Sequence, residues 1–191
     1  DLVNINYNGY ELALNAAGDI LAIAVKKDNS VTIKSQLKIY AWDINTQDWI
    51  QKGATLEAQN FGDFFGNSIS ISSTGDRIVV GAPNNNSNNG EVKIFDWDGS
   101  SWNSVKEFNG TTGEQLGFAV SLNDAGDRIA ISENNYSSNT GRILIYEENA
   151  GVWTQIGNQI DGTTTGDNFG KEVKLNAAGD YLLASSIDGF G

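Results

Sequence analysis

The chain of 191 residues has no cysteine, no histidine and no methionine, and only one proline. Without cysteine there is no disulfide scaffold and no thiolate, whether as nucleophile or as metal ligand. Without histidine the commonest general base, the commonest transition-metal ligand and the Ser-His-Asp triad are excluded. Basic residues are scarce too: 12 Lys and Arg stand against 24 Asp and Glu, a formal net charge of −12. Nucleic acid and anionic membrane surfaces are recognised by clustered Lys and Arg, so neither is an expected partner. Apolar runs last only a few residues, so no membrane insertion through a spanning helix is expected. The lack of an initiator methionine before Asp1 reads as a processed or partial chain, and a removed secretory signal is one route to it.

What the chain does contain is repetition. The hexapeptide LNAAGD occurs as Leu14–Asp19 and again as Leu175–Asp180. Aligned on Gly-Asp, it belongs to four copies: GYELALNAAGDILAIAV from Gly9, GNSISISSTGDRIVVGA from Gly66, GFAVSLNDAGDRIAISE from Gly117 and GKEVKLNAAGDYLLASS from Gly170. Their aspartates, Asp19, Asp76, Asp127 and Asp180, are spaced by 57, 51 and 53 residues. A period near 50 marks a propeller or a solenoid.

Strand patterning chooses between these. Each copy opens with alternating apolar residues, such as Ile69 and Ile71 or Val120 and Leu122, and then turns tightly at Gly-Asp into a second apolar run. That is a hairpin with glycine where positive φ is needed. A polar loop follows, then a third strand (QLKIYAW, EVKIFDW, RILIYEE) and a fourth beginning at Trp49, Trp102 or Trp153. Four antiparallel strands per repeat describe a propeller blade. The expected fold is therefore all-β: a β-propeller of four-stranded antiparallel blades, about three and a half to four of them. They form a single domain over 1–191, with repeats at about 9–65, 66–116, 117–169 and an incomplete 170–191. The three recurring tryptophans are expected to fill the gap between neighbouring blades.

The second copy, FFGNSISISSTGDRIVVGAP, resembles an FG-GAP repeat, the blade of integrin-like propellers: Phe65-Gly66 matches its first element and Gly81-Ala82-Pro83 its second. Leu116-Gly117 and Phe169-Gly170 keep the start, Ser132-Glu133 and Ser185-Ser186 replace the end, and the first copy keeps only Gly9. The resemblance implies an extracellular or cell-surface propeller, usually of seven blades, often with calcium in the hairpin between the first two strands. Here each hairpin offers two carboxylates at most, whereas calcium takes six to eight oxygens. Asp19, Asp76, Asp127 and Asp180 are thus weak metal candidates, better explained as turn formers, and no cofactor is expected.

The loops PNNNSNNG, FNGTTGEQL, ENNYSSNTG and DGTTTGDNF are expected on one face of the ring, where partners bind. Sequons at Asn85, Asn109 and Asn135 lie on that face as glycosylation candidates, in a number that chance alone produces at this composition. No catalytic constellation emerges. Glu133 and Asp161 come nearest to a glycosidase pair, but nothing in their spacing brings them together.

The fourth copy stops after two strands. A propeller with an open edge invites pairing, so the chain is a piece of a longer ring, a four-bladed ring completed by Asp1–Asn8, or a subunit whose edge a neighbouring copy completes. The leading expectation is a non-enzymatic extracellular structural or adhesion module. It acts through protein–protein contacts and self-assembles into a filament by strand completion between copies. The alternative is a lectin-like propeller that binds glycans, with Tyr136 as its loop aromatic.

Overall fold

The computed structural model of the chain describes residues 9–25 and 34–186. Asp1–Asn8, the candidate strand donor, lies outside them. The chain is all-β and antiparallel, laid out as consecutive sheets. In the first, β1 (Gly9–Leu14), β2 (Ile20–Val25), β3 (Gln36–Asp43) and β4 (Asp48–Gln51) pair in chain order, and β5 (Leu56–Glu57) extends it along β3. The second repeats this with β6 (Ser68–Ile71), β7 (Arg77–Ala82), β8 (Glu91–Trp97) and β9 (Trp102–Asn109). The third has β10 (Leu116–Leu122), β11 (Arg128–Glu133), β12 (Arg142–Asn149) and β13 (Val152–Gln155), with β14 (Ile160–Asp161) along β12. The fourth is a pair, β15 (Val173–Leu175) and β16 (Leu182–Ala184).

Residues paired across an antiparallel ladder point to the same side, so the register assigns each sheet two faces. In the first sheet Leu12 stands beside Ile23, Leu14 beside Leu21, and Trp42 beside Trp49 on one face; Ala13, Ala22 and Ile39 line the other. We call these the leading and trailing faces. The trailing face of each sheet packs on the leading face of the next. Ala22, Ala24, Leu37 and Ile39 of the first sheet form one core with Ile69, Ile78, Val80, Phe95 and Trp102 of the second. Val79, Val92 and Ile94 of the second do so with Val120, Leu122, Ile129, Ile131 and Trp153 of the third. Ala119, Ala130 and Ile143 of the third meet Val173, Leu182 and Ala184 of the fourth. Residues such as Ile78, Ile94 and Ile129 are completely buried, and each contributes about 1.5–3 kcal/mol to holding neighbouring sheets together.

Polar groups join the same faces. The N–H of Val120 donates to Ser68 Oγ and that of Leu122 to Ser70 Oγ, both at 3.0 Å, and Leu175 N–H donates to Ser121 Oγ at 2.9 Å. In each case an inner strand rests on a serine of the preceding sheet, so these three edge donors are satisfied without a fifth strand.

Candidate functional site

The repeated hexapeptide is a self-contained hairpin. Asn15 Oδ1 accepts from the N–H groups of Asp19 (3.0 Å) and Ile20 (2.9 Å), while its Nδ2 donates to Asp19 Oδ1 at 2.8 Å. Asn176 makes the same three bonds around Asp180, and Asn123 donates to Asp127 at 2.8 Å. In the second sheet Ser72 replaces the asparagine, and Asp76 pairs instead with Lys52 at 2.9 Å. The four aspartates are therefore held by an asparagine or a lysine at separate hairpins. Among the described residues no three His, Cys, Asp or Glu side chains gather.

On the opposite side, the loops after β7 and β11 are each tied to the linker entering the next sheet. Leu116 N–H donates to Asn89 O (3.1 Å) and Gln115 N–H to Asn88 O (2.9 Å); Phe169 and Asn168 N–H groups do the same to Thr140 and Asn139. At the loop tips Asn86, Ser87 and Asn88, and likewise Ser137, Ser138 and Asn139, have left-handed φ between 49° and 68°. Asn85 is buried beneath the first tip, its Nδ2 directed at Asp63 (3.3 Å) and Glu91 (3.5 Å). A glycan on that nitrogen is incompatible with its burial, so Asn85 is removed from the glycosylation candidates. Asn109 is exposed at the end of β9, and Asn135 is half-buried.

Tyr136 is not a free platform. The Arg142 guanidinium lies 3.9 Å from its ring centroid and pairs with Glu133 and Glu114. Burial raises the Glu133 carboxyl above its ordinary value, and Arg142 pulls it back down. Arg142 is paired in register with Glu133 on one side and Asp161 on the other. The two candidate carboxylates thus stand on either side of Arg142 in the sheet, which pairs with Glu133.

The inner strands of all four sheets converge on one cavity of about 260 Å³. Glu11 comes from the first sheet, Asn67 and Ser68 from the second, Phe118 from the third, and Lys171 and Glu172 lead into the fourth. Burial raises the Glu11 carboxyl, opposed by Lys174 and reinforced by Glu172. At this volume and with these side chains the cavity suits water or a small polar molecule.

The largest chemical asymmetry is at the two ends of the array. Leu12 and Leu14, on the leading face of the first sheet, are 62% and 54% exposed, whereas Ile69, Val120 and Val173, the counterparts of Leu12, are buried. Trp102 and Trp153 are buried between sheets, Trp102 donating its Nε1–H to Lys52 O at 2.9 Å. Trp49, in the same position but with no preceding sheet among the described residues, is half-exposed and packs edge-on against exposed Trp42, with ring centroids 5.6 Å apart. On the trailing face of the fourth sheet Tyr181 and Leu183 are both 74% exposed, while Ala22, Val79 and Ala130, the counterparts of Leu183, are fully covered. Leu12, Leu14, Trp42 and Trp49 thus form an exposed apolar patch on one face of the first sheet.

The arginines after Gly-Asp went unnoticed in the sequence. Arg77 binds Asp96 through two bonds of 2.6 Å, reaches Glu148 of the third sheet, and donates to Gly126 O at 3.0 Å. Arg128 likewise pairs with Glu147 and reaches Gly179 O. The recurrence of Gly-Asp-Arg in consecutive repeats was the available signal.

With this geometry in view, residues 55–95, which take in β5, β6, β7 and the start of β8, match the FG-GAP repeat family. No curated protein sequence matches the chain. Among solved structures the chain is similar to a candidate 6-phosphogluconolactonase from Bacteroides uniformis, with a TM-score of 0.60 at 13% identity. The match takes in 92% of this chain and 46% of that one, so the chain spans less than half of that protein's length. A likeness at this identity is one of fold.

Proposed function

We propose that the chain is part of an extracellular or cell-surface β-propeller that works by binding protein surfaces and carries out no reaction of its own. Four sheets docked in the same order around a common cavity are what successive propeller blades would produce, and the FG-GAP repeat at 55–95 supports an adhesion-type role. The observation that carries the reading is the leading face of the first sheet. Leu12, Leu14, Trp42 and Trp49 stand open there at positions that later sheets cover with protein. Copies of the chain are among the partners of this reading. Strand addition along β16 is one route, since among the described residues no third strand pairs with it where β8 and β12 serve the neighbouring sheets. No cofactor or metal enters the reading.

Two assays test it together. A benzophenone side chain placed at Trp42 is expected to capture protein on irradiation of the native cells, and the same probe at Val105, exposed on β9, is not. Hydrolysis of 6-phosphogluconolactone is expected to proceed at the buffer rate. A higher rate that falls on Glu11→Gln or Glu172→Gln would overturn the non-enzymatic reading.

A further inference from the structure

An amine, a carboxyl and a carboxamide meet in one buried cluster of the second sheet. Lys93, Glu91 and Asn85 are each more than nine-tenths buried. Glu91 and Lys93 are two residues apart on β8 and so share a face. The register pairs them with Ala82 and Val80 of β7, both members of the apolar core shared with the first sheet. Glu91 Oε2 reaches both of the others: it lies 3.3 Å from Lys93 Nζ and 3.5 Å from Asn85 Nδ2. Lys93 is also held by Glu107 at 3.3 Å, and Asn85 Nδ2 also donates to Asp63 at 3.3 Å. We propose that Lys93 and Asn85 join through an amide bond from Nζ to Cγ, with Glu91 carrying the protons and the Asn85 nitrogen leaving.

A primary amine adds to a carboxamide when it has lost its extra proton and when an acid protonates the departing nitrogen. Glu91 touches both nitrogens and serves both needs. It takes a proton from the Lys93 ammonium, and the freed amine adds to Asn85 Cγ. Glu91 then gives that proton to Nδ2, the Cγ–Nδ2 bond breaks, and ammonia departs. Burial raises the Glu91 carboxyl above its ordinary value, with Lys93 opposing the shift, so the carboxyl can hold the proton between the two transfers. Nζ begins with three hydrogens and ends with one. The other two pass through Glu91 and leave on the Asn85 nitrogen as ammonium, so atoms and charge balance with no oxidant or cofactor. The apolar core beside the cluster keeps water from competing for Cγ.

The third sheet shows what the arrangement replaces. At a spacing of 51 residues, Asn85, Glu91 and Lys93 correspond to Tyr136, Arg142 and Leu144. There the loop after the second strand is held without a covalent bond, by the Arg142 guanidinium over the Tyr136 ring and by its pairing with Glu114 and Glu133. In the second sheet the amide bond does this work. It ties the loop whose tip carries left-handed Asn86, Ser87 and Asn88 to β8, by a link that denaturant does not break. The reaction happens once per molecule and turns over no substrate, so it stands apart from the contact-module reading.

Intact mass of the folded full chain, followed by tryptic digestion, tests the proposal. The wild type is expected to weigh one ammonia less than its sequence. Its digest is expected to contain residues 78–106 uncut after Lys93 and lighter by that ammonia, with no fragment ions from breaks between 85 and 93. Lys93→Arg keeps the charge but a guanidinium that stays protonated does not add, and Glu91→Gln removes the proton carrier; both are expected to keep their full sequence mass. A wild type at full sequence mass overturns the proposal, whether or not the variants fold. So does a loss of ammonia that maps to an Asn-Gly pair such as Asn89-Gly90 or Asn109-Gly110, where succinimide closure expels the same ammonia, or a loss that survives in either variant.

Discussion

Gly81 and Gly117 lie against each other across the junction of the second and third sheets: a Cβ built on Gly81 would fall 2.0 Å from the Gly117 carbonyl oxygen. Gly81 is the glycine of the Gly-Ala-Pro element, and Gly117 occupies the Phe-Gly position of the following repeat. The two halves of the FG-GAP signature thus meet between consecutive repeats, where one backbone crosses another too closely for any side chain. Gly81→Ala is therefore expected to cost about 3 kcal/mol or more, measured by denaturant unfolding. A change below about 0.5 kcal/mol would contradict the close approach.

The hairpin asparagines give a graded prediction. Asn123 is buried beneath the next hairpin, whereas Asn176 is exposed, with no further sheet beyond it among the described residues. Both satisfy backbone and aspartate partners. Asn123→Ala is expected to destabilise by about 1–3 kcal/mol through unsatisfied buried groups, and Asn176→Ala by a smaller amount. Equal losses in thermal melts would show that burial is not what separates them.

Arg77 tests the links between sheets. Its fork binds Asp96 through two bonds and still reaches Glu148 and Gly126, a set that a single ammonium cannot copy. Arg77→Lys is expected to lower stability by about 1–2 kcal/mol, with the loss coupled to that of Glu148→Gln in a double-mutant cycle. Strict additivity would remove the bridge from the account.

Glu133 sets a pH dependence. Burial raises its folded-state value above the ordinary 4.5, with Arg142 opposing the shift. Over the interval just above 4.5 the folded chain keeps a proton that the unfolded chain has released, so the stability contributed by this group falls as pH rises through that interval. Glu133→Gln is expected to flatten the decline in melting temperature between about pH 4.5 and the raised folded value. A slope identical to wild type would mean that other groups carry it.

Much of the architecture was legible because local rules and tertiary structure agree. Alternation at Ile69–Ile71 and Val120–Leu122, Gly-Asp turns at a regular spacing, and tryptophan at the start of the fourth strand each follow from pleat, turn and packing. What stayed hidden depends on neighbours that a sequence window does not contain. Leu12 and Val120 read alike, yet one is open and the other buried, because among the described residues only one has a preceding sheet. Asn85 reads as a loop residue, yet it is drawn inward by Asp63 and Glu91, which arrive from other parts of the repeat. Glu133 and Asp161 read as two acids, and only strand register puts Arg142 between them.

The account rests on the leading face of the first sheet being a contact surface. Its most direct test is hydroxyl-radical footprinting of the tryptophans across a concentration series. At high dilution Trp42 and Trp49 are expected to react readily while Trp102 and Trp153 stay protected, and with rising concentration Trp42 and Trp49 are expected to become protected too. If Trp49 is as protected as Trp102 at every dilution, the chain covers that face itself and the account is wrong.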